Sequence, residues 1–187
     1  MGGKGVSVRN RILVGGVAAV AVTAGVVGVV ASNADSTEPG VKAPVVADAS
    51  DANVQQTTHL TVAAATKAAQ AALDAAKQEN QRVSVAVVDR DGNTIVVLRG
   101  DGAGPQSFES ARQKAFTAVS WNAPTSVLAG RLQNAPQLAA IPGTLFLAGG
   151  APVDAKGAPI AGIGVAGAPS GDQDEKFAQA GAAALGH

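Results

Sequence analysis

Val83-Ser-Val-Ala-Val-Val88, then Asp89-Arg-Asp-Gly-Asn93, then Thr94-Ile-Val-Val-Leu98: this stretch places two β-branched runs on either side of one turn. β-Branched side chains fit a pleated, half-buried surface, and Asp91-Gly92 supplies the residue with positive φ that a tight hairpin needs. The two runs are therefore predicted to be antiparallel neighbours in a sheet. Upstream, Thr61 is placed to cap a helix reaching Gln78, with Val62, Ala65, Ala69, Ala72, Leu73 and Ala76 as its apolar stripe. That stripe is mostly alanine, so it buries little area per residue but permits close approach.

Downstream, Gly100-Asp-Gly-Ala-Gly-Pro105 loops to a helix expected to be capped by Ser107 and to reach Trp121. Pro124 opens a short helix to about Leu132, and residues 134–143 read as a loop. Leu145–Ala148, Pro152–Asp154 and Ile160–Val165 read as three short strands joined by turns at Gly149-Gly150 and Ala155-Lys-Gly. A last helix starts near Ser170, with Asp172, Asp174 and Glu175 in its first turn, where negative charge favours the helix dipole. Phe177, Gly181, Ala184 and Leu185 form its apolar side. The order α-β-β-α-α-β-β-β-α predicts an α+β domain: a five-stranded antiparallel sheet with packed helices, profilin-like.

Outside this body the chain changes character. Lys4, Arg9 and Arg11 precede the uncharged apolar run Ile12 to Ala31, the order of a secretory signal, with small residues suited to cleavage after Ala31 or Ala34. An uncleaved membrane anchor is the alternative, although the run is rich in Gly, Ala and Val and no basic stop-transfer cluster follows it. The expected organisation is a signal segment at 1–31, a polar flexible leader at 32–58 and one domain at 59–187, placed outside the cell. The chain carries 14 basic and 14 acidic side chains. Removing the three cations of the signal leaves 11 basic groups, a mildly acidic body that does not suit nucleic acid.

With 187 residues and no Cys, disulfides, zinc–thiolate sites, iron–sulfur clusters and cysteine nucleophiles are excluded. Tyr is absent as well, and the single Met is the initiator, so His59 and His187 are the borderline metal ligands left. A catalytic triad has little support, since His59 stands at the leader junction and His187 at the terminus. Gly100–Gly104 and Gly162–Gly167 lack the lysine and the acidic partner of nucleotide-binding loops, and read as turns and close strand packing. Asp172 and Glu175 are spaced to share a hard cation, or simply form a negative helix start. Trp121 is expected to pack beside Phe116 or in a subunit contact. Arg99 and Arg131 are candidates to meet ligand carboxylates, and Arg112 and Lys114 to face a protein partner.

Four pieces carry a resemblance: Val85-Ala-Val-Val-Asp-Arg-Asp-Gly-Asn93, Ser110-Ala-Arg-Gln-Lys-Ala-Phe-Thr-Ala118, Gly149-Gly-Ala-Pro-Val153, and Ile163-Gly-Val-Ala-Gly167 followed by Asp172 and Ala180-Gly181. In this order, over most of residues 60–185, the chain resembles the GlcG/HbpS family. The resemblance implies an extracellular haem- and iron-binding protein that assembles as a homo-octamer. It also implies an accessory role to a membrane sensor histidine kinase in the response to haem and oxidative stress, while other members are described as haem-degrading. Thr144, in Ile141-Pro-Gly-Thr144, matches a threonine associated with haem. His59 matches a histidine ahead of the first helix, a candidate ligand for iron or haem. Glu109 matches the first acid of a surface iron motif whose second acid is replaced here by Arg112, a cation that repels ferric iron. With so few axial ligands, either His59 binds the iron, or haem is held by apolar contact and its propionates with a weak oxygen donor such as Thr144.

Overall fold

The structure is a computed structural model and describes Gly2 and residues 46–186. The remainder of the expected signal segment, the first part of the leader and His187 lie outside the described residues. From Val46 the chain makes one short 3-10 turn, Asp51–Asn53, before the first helix. No helix among the described residues is long and apolar enough to cross a membrane.

The elements are α1 (Val62–Gln78), β1 (Ser84–Asp89), β2 (Thr94–Arg99), α2 (Pro105–Trp121), α3 (Thr125–Arg131), β3 (Gly150–Ala155), β4 (Ala158–Ala166) and α4 (Gly171–Ala183). The strands form one antiparallel sheet in the order β2-β1-β4-β3. The fold is thus α+β as expected, with four strands rather than five. Leu145–Ala148 does not join the sheet because its backbone and side chains are engaged elsewhere. The Leu145 N–H donates to Thr117 Oγ1 at 2.8 Å, and the buried Phe146 ring meets Trp121 edge-on, with centroids 5.1 Å apart. Trp121 therefore packs on Phe146, not Phe116. The expected Gly149-Gly150 turn is instead the entry to β3, and the turn to β4 is Lys156-Gly157, both at positive φ as a two-residue hairpin requires.

Side chains alternate across the paired centre of β1 and β4. Val85 and Val87 of β1, opposite Val165 and Ile163 of β4, face α1 and α4 and build the main core with Phe177. Ala86 and Val88, opposite Gly164 and Gly162, face α2. There the two glycines let the helix settle onto the strand: a Cβ on Gly164 would lie 2.0 Å from the Ala111 carbonyl oxygen, and one on Gly162 2.1 Å from that of Ala115. On α1 the buried residues are Ala65, Ala68, Ala69, Ala72 and Ala76, and Leu73 packs half-buried against the same core, as expected, while Val62 is exposed. The alanines let α4 approach closely, with Gly181 against the Ala68 backbone.

Thr61 caps α1 and Ser170 caps α4, as the sequence implies. Gly104, not Ser107, precedes α2. Ser107 lies one turn inside, buried, its hydroxyl bonded to Gly104 O and paired with Ser84. The first turn of α4 departs most from expectation. Asp172 is exposed, but Asp174 and Glu175 turn inward, which removes the basis for a cation shared between Asp172 and Glu175. Glu175 accepts from the N–H groups of Ser126 (2.9 Å) and Gly149 (3.2 Å) and from the Ser126 hydroxyl. It thereby caps α3, whose own N-cap, Pro124, has no side chain to do so. Asp174 pairs with Lys114 Nζ at 2.8 Å inside the protein, and the same Nζ donates to Val165 O. Burial pushes the Asp174 carboxyl above its ordinary value, with Lys114 and the Ala168 N–H partly opposing. Lys114 is consequently an internal strut between α2 and α4, not a surface cation.

Candidate functional site

The β1–β2 hairpin is built by Asp89. Its Oδ1 accepts the N–H groups of Asp91 (2.9 Å) and Asn93 (2.8 Å), and its carbonyl accepts the Gly92 N–H. A carboxylate tied to its own turn in this way is held in one orientation. Oδ2 then points to the segment ahead of α1, where His59 lies. The imidazole Nδ1 is 4.0 Å from Asp89 Oδ2, and Nε2 is 3.5 Å from Asp91 Oδ2. Thr57 Oγ1 shares a 2.6 Å hydrogen bond with Nε2.

One ligand atom from each of His59, Asp89 and Asp91 lies within 4.8 Å of the others. Asp89 is nearly buried, whereas His59 and Asp91 are open to solvent. One imidazole nitrogen and two carboxylates suit a hard to borderline cation, iron included. The sequence marks His59 as a metal ligand, whereas it marks Asp89 and Asp91 only as residues of the hairpin turn. The D-x-D-G run was a legible signal, but nothing in the chain order announces that a residue thirty positions upstream returns to it.

Thr144 stands at the end of a second turn. Its hydroxyl donates to Ile141 O at 2.7 Å, which leaves the Oγ1 lone pairs as the available chemistry of that side chain. It is half-buried, beside Ile141, which is 40% exposed. The residues thus fit the haem expectation in kind: His59 offers a nitrogen ligand at an open position, and Thr144 offers an acceptor oxygen.

Glu109 is not part of this cluster. It lies two turns before Phe116 on α2, about 10 Å along the helix axis, and its carboxylate is gripped by Arg112 through both Nε (3.0 Å) and Nη2 (2.6 Å). The guanidinium holds the Glu109 carboxyl below its ordinary value, and Glu109 in turn raises Arg112. Iron at Glu109 would have to displace that two-point pair. Arg99 is also remote. It closes β2 at the end away from the hairpin, bonded to Ala103 O at 2.7 Å.

Two clefts lie elsewhere. One of about 480 Å³ runs between the end of α1 and the Arg99–Asp101 turn. The other, of about 410 Å³, lies between Leu147-Ala148 and the start of α4. Neither contains the His59 cluster, where the donor chemistry is concentrated, so size alone does not locate the site.

Comparison with known proteins gives this geometry a context. A double mutant of HbpS from Streptomyces reticuli is 70% identical to this chain, with a TM-score of 0.73, covering 78% of this chain and 98% of its own. A PduOC–haem complex is 29% identical, with a TM-score of 0.62, over 68% of this chain and 95% of its own. An uncharacterized 15.0 kDa protein from the dhaT–dhaS intergenic region of Citrobacter freundii is 33% identical over 130 residues, 67% of this chain and 91% of that protein. The model of the family described as haem degrading protein HbpS-like matches residues 60–183, from the residue after His59 to the end of α4, and the chain belongs to that family.

Proposed function

We propose that this protein binds haem and iron outside the cell, with His59 as the nitrogen ligand and Thr144 as an oxygen contact. The observation that carries the reading is the meeting of His59 with Asp89 and Asp91 in an open cluster. The haem complex of PduOC and the haem-degrading description of the family support it. Within the same reading, residues 1–31 are a cleaved secretory signal, residues 32–58 a leader, and the domain from residue 59 assembles as a homo-octamer. That assembly acts as accessory to a membrane sensor histidine kinase in the response to haem and oxidative stress.

When bound, haem supplies redox-active iron and a large apolar face. The chain's own residues hold it and limit its access to water. Thr57 Oγ1, 2.6 Å from His59 Nε2, orients the ring, and Nδ1 is the nitrogen that faces Asp89. Thr144 keeps its proton on Ile141 O and presents lone pairs. A nitrogen ligand at an exposed junction and a weak oxygen contact make for reversible capture, which suits a sensor or scavenger.

A second reading, haem degradation, is favoured by the family description. One titration distinguishes the two. Haem added to the purified protein is expected to give a stable shifted Soret band, with affinity lowered about ten-fold or more in His59→Ala and less in Thr144→Ala. Progressive bleaching with reductant and oxygen would instead establish degradation. If neither substitution changes the spectrum or the affinity, the residue assignment is wrong.

A further inference from the structure

The larger cleft, of about 480 Å³, opens at the end of the β1–β2 pair away from the hairpin turn. The length of β1, about 17 Å at ~3.3 Å per residue, therefore separates it from the His59 cluster. Three cations line it: Lys77 in the last turn of α1, Arg82 on the link to β1, and Arg99 at the end of β2. None of the three enters an ion pair among the described residues.

The two arginines are braced on one turn. Arg99 Nε and Nη2 both donate to Ala103 O, at 3.3 and 2.7 Å, which sets the guanidinium plane and leaves Nη1 to donate elsewhere. Arg82 lies across the same turn from the other side: a Cβ on Gly102 would sit 3.0 Å from its Cδ and 3.4 Å from its Nη1. Gly102 meets two demands at once, a φ of +75° and a bare surface under the arginine. A Cβ on Gly100 would lie 2.8 Å from Val83 O and 3.4 Å from Leu73 Cδ2, so the turn sits directly on the apolar base of the cleft. The glycine-rich stretch 100–104 lacks the lysine of a nucleotide-binding loop in its own sequence, but the fold gathers cations around it from other elements.

Two guanidinium groups on one turn repel each other unless solvent or an anion lies between them. Their planar forks match the oxygens of a phosphate, and three cations suit its double charge. The cleft also has carboxylates: Asp74, which accepts Gln70 Nε2 at 2.8 Å, and Asp101. These repel a chain of phosphates but accept hydrogen bonds from hydroxyl groups. A ligand with one phosphate and a hydroxyl-bearing remainder satisfies both sets of groups, and the volume exceeds what a lone phosphate fills. We propose that this cleft binds a small phosphorylated polyol, its phosphate on Arg82, Arg99 and Lys77 and its hydroxyls toward Asp74 and Asp101. The site is independent of the haem reading.

Full-length protein is titrated by calorimetry with glucose 6-phosphate, inorganic phosphate and glucose in turn. The variants are Arg82→Gln and Lys77→Gln, both at exposed positions, Asp74→Asn, and Lys156→Asn. The last removes one charge at the distant β3–β4 turn, where Asn tolerates the positive φ. Glucose 6-phosphate is expected to bind with a Kd of about 1 mM or below, about ten-fold more tightly than inorganic phosphate, and glucose to give no heat. Arg82→Gln and Lys77→Gln are each expected to weaken glucose 6-phosphate about five- to ten-fold, and Lys156→Asn less than about two-fold. Asp74→Asn is expected to narrow the gap between glucose 6-phosphate and inorganic phosphate, because it removes a repulsive charge and a hydroxyl acceptor together. No heat from glucose 6-phosphate up to about 10 mM overturns the site. Equal losses in Arg82→Gln and Lys156→Asn overturn it as well, since they would mean general attraction of anions to the surface. Equal affinities of wild type for glucose 6-phosphate and inorganic phosphate overturn the polyol assignment.

Discussion

The two faces of the sheet are packed by opposite means. Toward α1 and α4, side chains fill the space: Val85, Val87, Ile163, Val165 and Phe177 are all fully buried. Toward α2 the sheet offers Gly162 and Gly164, and the helix backbone itself rests on the strand. The first face depends on volume and tolerates small adjustments, since side chains can repack. The second depends on the absence of atoms, and a helix carbonyl cannot move aside without carrying the helix with it. The face without slack is also the one whose helix carries Phe116, Thr117 and Lys114, so their positions are set by backbone contact.

The largest test of this contrast is Gly164→Ala. One added methyl would meet the Ala111 carbonyl oxygen and the Ala115 nitrogen, so the expected loss is about 4 kcal/mol or more, beyond ordinary overpacking. A cost below about 1 kcal/mol in urea unfolding would break the distinction between the faces. Next comes Phe177→Ala on the filled face, expected to cost about 3–5 kcal/mol through a cavity, with the fold retained. If it instead abolishes folding while Gly164→Ala does not, the contrast is inverted.

The smallest effect concerns the strut that joins the faces, Lys114–Asp174. Burial raises the Asp174 carboxyl above 3.8 in the folded protein. The folded state therefore takes up this proton more readily than the unfolded chain, and the group's contribution is full below pH 3.8 and lost as pH rises through the raised value. The advantage of wild type over Asp174→Asn is accordingly expected to grow as pH falls from 7 toward 4, measured by urea unfolding at each pH. An advantage that shrinks on acidification would mean that the ion pair outweighs burial.

The hairpin, both side-chain caps at Thr61 and Ser170, and the α+β class were legible because each depends on residues close together in sequence. The missing fifth strand was not. Leu145–Ala148 has a strand-like composition, but the Leu145 N–H finds its partner in Thr117, on a helix remote in sequence, and the Phe146 ring packs on Trp121 of that helix. The inward turn of Asp174 and Glu175 was hidden for a related reason: acidic residues at a helix start are favoured by the dipole whether or not they are buried, so position alone does not distinguish the two. Of the candidate site, His59 was legible as one of the two imidazoles in the chain, and Thr144 only through family resemblance. Asp91 and Asp89 emerge from tertiary proximity alone.

Glu175 carries one more implication. Its Oε2 accepts the amides of both Ser126 and Gly149, so one carboxylate clasps the two ends of the intervening chain into a closed loop. Closing such a loop removes much of the entropy that a dangling segment would regain by fraying. The stretch bearing α3, the 3-10 turn Pro136–Ala140 and Thr144 is thereby tied at both ends to α4, a closure that the Gly150 N–H doubles by donating to Thr125 Oγ1, so the local stability around Thr144 draws on a side chain of a different helix.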